Sequence, residues 1–297
     1  MTFGPLEKPR RGALYAWKNP PMQIGGAQPR HSYKPIISPV RLAILTRPRY
    51  TGISYEGTQA PHQCLQPRLP VCFWHTKRII FHPRMMPGRA ILDPELTLGL
   101  PAHLTAAVGM DALSHSLEAY SSPVFHPLAQ GIALEAMRLV RDALPVAVKT
   151  PSDLAARSRM QVAAAMGSTA FQKGLGAMHA LSHPCSSLLD THHGLTNAVV
   201  MPYVLVFNRP AIDTKMAALA RYLDLPDPSF SGVLDWILAL REEIGIPHTL
   251  RDIGVDESLS ARMARMAAED PSAATNPVPL DAGALERLYL RAIGGVL

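Results

Sequence analysis

The sequence predicts a mainly α-helical fold, on three observations. After Pro101, apolar residues recur at helical spacing almost to the C-terminus, and helix start and stop residues punctuate the pattern. The first 76 residues hold neither a helical nor an alternating period, which predicts a poorly ordered lead-in before a helical domain. The expected organisation is therefore a proline-rich basic segment over 1–76 and a helical domain over 77–297.

Each part has a local reason. Eleven of the 28 prolines fall in residues 1–76, and steps such as Asn19-Pro20-Pro21 and Arg47-Pro48 repeatedly block helix formation. Gly25-Gly26 reads as a turn, since no strand leads into it and no helix follows. Ile79–Phe81 and Ala90–Leu92 are short strand or connector candidates. Helices are expected over Leu104–Tyr120, Pro127–Val148, Asp153–Ala170, Gly176–Leu189 and Gly194–Phe207. Further ones are expected over Thr214–Leu223, Val233–Ile244, Glu257–Ala268 and Ala282–Ile293. Asp153, Asp256 and Asp281 stand where N-caps belong, and Gly245 and Gly254 stand at stops.

Charge and composition exclude several classes of function. The formal net charge is +6, yet residues 1–76 hold ten Lys/Arg against only Glu7 and Glu56, so the remainder is slightly acidic. With no helix to array those basic residues, no nucleic-acid partner is expected. Cys64, Cys72 and Cys185 make neither a disulfide framework nor a zinc ribbon. The longest apolar run, Ala198–Phe207, is about half a membrane span and contains Pro202, so no membrane partner is expected. The opening residues lack the apolar core of a secretory signal, and a reduced, cytoplasmic setting is the expectation.

The histidines carry the chemistry. Asp111 and His115 stand four apart in one predicted helix, and His179 and His183 repeat that spacing in another, so each pair shares a face. His193 follows where a new helix begins. Three imidazoles and a carboxylate without thiolate suit Fe(II), Zn(II) or a neighbouring divalent ion. Taken singly, such a pair is more often a solvated hydrogen bond than a ligand pair. A zinc peptidase is excluded, because its HExxH motif needs Glu where Ala180 stands.

Longer stretches carry a resemblance. DPELTLGLP (93–101), AVGMDALSHSLEAYSS (107–122), HPLAQGIALEAMRLV (126–140), KGLGAMHALSHP (173–184), HHGLTNAVVMPYVLVFN (192–208), GIPHTLRDIGVDE (245–257) and NPVPL (276–280) resemble the iron-containing alcohol dehydrogenase family, in order from about Lys77 onward. The resemblance implies the helical C-terminal domain of the dehydroquinate synthase-like fold. It implies that Asp111, His115, His179 and His193 are the metal ligands, with Fe2+ (or Zn2+) bound. It also implies that His183 neighbours the nicotinamide and takes part in proton transfer, and that Phe171 and Leu175 line the substrate pocket. The implied reaction is hydride transfer between a small alcohol or aldehyde and NAD(P).

Two departures shape the expectations. The family's N-terminal nucleotide domain, with its GGGS phosphate loop, has no counterpart in residues 1–76. The alternative is therefore a catalytically inactive metal-binding fragment, truncated of its cofactor domain, whose uncovered apolar surface would favour a homo-oligomer. Maleylacetate reduction is the other activity open within the family. Cys185-Ser186 also replaces the usual aliphatic residue and glycine, altering packing without removing a ligand.

Overall fold

The computed structural model describes residues 89–297 together with the backbone of Leu42 and Ala43. The expectations for the rest of residues 1–88, including the strand candidate Ile79–Phe81 and the boundary at residue 77, lie outside the described residues. Among the described residues the first elements are two-residue strands, β1 (Leu42–Ala43) and β2 (Ile91–Leu92), paired antiparallel with Leu42 opposite Leu92.

Helices follow almost without interruption. They are α1 (Ala102–Ser121), α2 (Pro127–Lys149), α3 (Leu154–Ala170), α4 (Ala177–Leu189), α5 (His193–Tyr222), α6 (Phe230–Glu243), α7 (Ser260–Ala268) and α8 (Ala282–Gly294). The expected starts are real caps: Asp153 Oδ1 accepts from Ala156 N–H at 2.9 Å and Asp281 Oδ1 from Ala284 N–H at 2.7 Å. Asp256 instead caps a 3-10 turn, Glu257–Leu259, which precedes α7. Gly245 and Gly254 adopt φ of +75° and +84°, the left-handed conformation that ends a helix at least cost with glycine.

One expectation fails. The break placed between Phe207 and Thr214 is absent, and α5 runs continuously through Pro210. An interior proline costs about 3 kcal/mol or more. Beyond it, Ile212, Met216 and Leu219 are buried, each contributing about 1.5–3 kcal/mol. The buried face on both sides of Pro210 therefore outweighs the local penalty.

α1 is the axis of the domain. It packs against α2, α3 and α5, while α4 lies on α5 and α7. Every residue from Ala112 to Ser121 is buried, so polar side chains on this stretch are held inside the protein. Its C-terminus is closed by two lysines. Lys173 Nζ donates to the carbonyls of Tyr120 and Ser122, and Lys215 Nζ to those of Tyr120, Ser121 and Ser122, where the helix dipole is negative. No described helix is long and apolar enough to cross a membrane.

The buried lysine makes stability depend on pH. Burial, with the nearby Lys215 charge adding to it, pushes Lys173 down to about 8 from 10.5. Between those values the unfolded chain holds more protons than the folded one, so stability rises with pH and is lost as pH falls through the folded value. From pH 8 to about 10, the Tm of the wild type should therefore rise relative to that of Lys173→Met. A gap that stays constant across that window would contradict this.

Candidate metal centre

Three helices bring the predicted residues to one place. α1 carries Asp111 and His115 one turn apart, and α4 carries His179 and His183 in the same relation. α4 ends at Asp190 in the left-handed conformation (φ 54°), and His192 then caps α5 by accepting from Leu195 N–H through Nδ1. This turn sets His193 at the first position of α5. Gly194 permits the approach, because a Cβ there would lie 2.6 Å from the Ala107 carbonyl oxygen and 3.0 Å from Asp111 Cβ.

Asp111, His179 and His193 each present a ligand atom, and these atoms lie within 4.8 Å of one another. Asp111 Oδ1 is 4.0 Å from His179 Nε2 and 3.8 Å from His193 Nε2. Those separations are too long for hydrogen bonds. Two ligand bonds of about 2.0–2.2 Å meeting at one ion span up to roughly 4 Å between donors. His115 stands beside the trio, its ring stacked on His179 at 4.7 Å between centroids. His183 stacks on His193 at 5.2 Å and meets His179 edge-on at 6.0 Å. Phe171 lies 5.3 Å from the His115 ring, and the half-buried Leu175 is pinned by a 2.7 Å hydrogen bond from Thr275 to its carbonyl.

The donor set fits a divalent cation. Asn197 Nδ2 lies 2.8 Å from Asp111 Oδ1, 3.1 Å from His193 Nε2 and 3.3 Å from His179 Nε2. An amide has two protons and cannot satisfy three acceptors, and Asn197 Oδ1 is buried with no hydrogen-bond partner among the described residues. Three lone pairs converging at one point fit a positive charge better than an amide. Burial alone would raise the Asp111 carboxyl, but His115, His193, His179 and the Asn197 amide overcome it and hold the group well below the usual carboxylate range.

Behind the donors lies a second layer that the sequence analysis missed. His179 Nδ1 is 2.6 Å from Glu118 Oε2, and His183 Nδ1 is 2.7 Å from Asp270 Oδ2. The Ser182 hydroxyl donates to the His179 carbonyl, so its oxygen accepts from His193 Nδ1, 3.1 Å away. Burial alone would raise Asp270, yet the hydrogen bond and charge of His183, with Ser272, hold it below its ordinary value. Glu118 had a signal: it follows Asp111 by seven and His115 by three, on one helical face inside an apolar stretch. Asp270 had none, lying 87 residues from His183.

Comparison with known proteins agrees with the architecture. Residues 105–293 match the Fe-containing alcohol dehydrogenase family, C-terminal. The chain is 39% identical over 222 residues to the 4-hydroxybutyrate dehydrogenase of Cupriavidus necator, covering 71% of this chain and 58% of that one. It is 39% identical over 208 residues to the 1,3-propanediol dehydrogenase of Citrobacter freundii, covering 68% and 54%. Among solved structures it is similar to a 1,3-propanediol oxidoreductase, with a TM-score of 0.68, 37% identity and coverage of 71% and 57%. An iron-containing alcohol dehydrogenase from Thermococcus thioreducens gives a TM-score of 0.67 at 33% identity, covering 73% and 57%. The chain thus spans little more than half the length of the relatives it matches. Carrying this helical domain and its sequence signatures, it belongs to the Fe-containing alcohol dehydrogenase family.

Proposed function

We propose that this chain is the metal-holding part of an NAD(P)-dependent dehydrogenase acting on a small alcohol or aldehyde. The observation that carries the reading is the convergence of the Asp111, His179 and His193 donor atoms within 4.8 Å in a chain of this family. These three residues would hold Fe(II), with His115, stacked on His179, as the fourth ligand. Bound there, the iron supplies Lewis acidity toward an alcohol or carbonyl oxygen, and a nicotinamide supplies the hydride partner.

The chain's own residues do the rest. With Nδ1 of His183 engaged by Asp270, its Nε2 is the atom that takes up and releases the substrate proton. Phe171 and Leu175 form an apolar wall that keeps water from the reacting carbon. The names of the relatives, two acting on short diols or hydroxy acids and one an NAD-dependent methanol dehydrogenase of Bacillus methanolicus, support a small alcohol and NAD. A cytoplasmic, reducing setting suits both Fe(II) and the unpaired Cys185. In this reading residues 77–297 form the catalytic metal domain.

A second reading, metal binding without turnover, is favoured by the lack of a glycine-rich phosphate loop in residues 1–76. One experiment separates the two. The full chain is loaded anaerobically with Fe(II), its metal content measured, and NADH and NADPH titrated by fluorescence before assay with 1,3-propanediol and 4-hydroxybutyrate. Stoichiometric iron with nucleotide binding and alcohol-dependent reduction is the expected result. Iron without nucleotide binding leaves the second reading, and failure to hold iron overturns both.

A further inference from the structure

We propose that Glu118 is the positioning residue of His179, holding its imidazole in the tautomer whose Nε2 lone pair faces Asp111 and His193. The inference rests on the metal reading above and extends it to a residue outside the ligand set.

Glu118 is a carboxylate buried on α1, and burying an ion costs several kcal/mol unless it is compensated. Its compensation is specific. Oε1 accepts from Met178 N–H at 2.6 Å, in the first turn of α4, where the helix dipole is positive. Oε2 faces His179 Nδ1 at 2.6 Å. No Lys or Arg is among its hydrogen-bond partners within the described residues. The fold makes room for the group at Gly176, where a Cβ would stand 3.0 Å from Oε1.

The tautomer follows from valence. An ionised carboxylate only accepts, so Nδ1 of His179 must carry the proton, which leaves Nε2 bare. The same conclusion holds for His193, because the Ser182 hydroxyl spends its one proton on the His179 carbonyl and can only accept from Nδ1. Both lone pairs then meet Asp111 Oδ1 at the point where the Asn197 amide lies. The two imidazoles differ in strength, however. The partner of His179 is an anion, which raises the ring's basicity as a ligand; the partner of His193 is a neutral hydroxyl.

Glu118→Gln tests this with little change of shape. A Gln can keep the acceptor for Met178 N–H only by turning its amide NH2 toward His179, which favours the tautomer protonated at Nε2 and closes the lone pair. Long-range 1H–15N correlation on the metal-free full chain reads the tautomer, with His179 assigned through loss of its signals in His179→Gln. The wild type should show His179 protonated at Nδ1, and Glu118→Gln should shift it toward Nε2. Fe(II) affinity, by anaerobic chelator competition, should fall about 10- to 100-fold.

A carboxylate that merely anchors α4 would lower the Tm of the variant and leave the tautomer unmoved. Nε2 protonation in the wild type would overturn the proposal without any substitution, so a variant that fails to fold does not rescue it. Fe(II) affinity lost in Asp111→Ala but unchanged in a folded Glu118→Gln overturns the role of Glu118 alone. Wild-type Fe(II) affinity in Asp111→Ala overturns the metal reading, and this proposal with it.

Discussion

Asp111→Ala should lower the Fe(II) affinity of the full chain by more than about 100-fold, since outer hydrogen-bond partners alone are worth 10- to 100-fold at such sites. Asp111 is the only anion among the three convergent donors, and its removal leaves neutral imidazoles facing a dication. The effect should be local, because Asp111 is only partly buried and its side chain meets Ser114 and Asn197 rather than the apolar core. Elemental analysis after dialysis, with chelator competition, measures the loss. A folded variant that retained stoichiometric iron would rule out the site.

Gly194→Ala should damage both stability and metal binding, although Ala is the better helix former by about 1 kcal/mol. The new Cβ would stand 2.6 Å from the Ala107 carbonyl oxygen and 3.0 Å from Asp111 Cβ. Neither can yield as the end of a flexible side chain does, since one is helix backbone and the other is attached to it. α5 must then shift away from α1, carrying His193 with it. Overpacking of this kind costs about 1–3 kcal/mol, and here it is placed at the upper end because neither contacted atom can move, so a net loss of up to about 2 kcal/mol is expected. Urea denaturation and Fe(II) titration measure the two effects, and a variant as stable as the wild type would refute the close approach.

The chain shows where local signals suffice and where they fail. Helix starts at Asp153 and Asp281 were legible because a capping carboxylate acts on the N–H groups two or three residues ahead. The pairs Asp111/His115 and His179/His183 were legible because helical periodicity puts residues four apart on one face. The interruption expected between Phe207 and Thr214 is absent because the cost of Pro210 is local, whereas the burial of Ile212, Met216 and Leu219 that offsets it comes from other helices. Asp270 was invisible for a related reason: its tie to His183 joins a loop to a helix across 87 residues.

The sequence by itself determined the family and the helical class, since long signatures and 3.6-residue periodicity survive without knowledge of packing. Only the tertiary structure decided which donors meet. Asp111, His179 and His193 converge within 4.8 Å because Gly194 lets α5 lie close against α1. It decided, too, that Glu118 and Ser182 stand behind the imidazoles. Spacing along a helix specifies a face, but the distance between two faces is set by the side chains packed between them, and that packing is written in no local pattern.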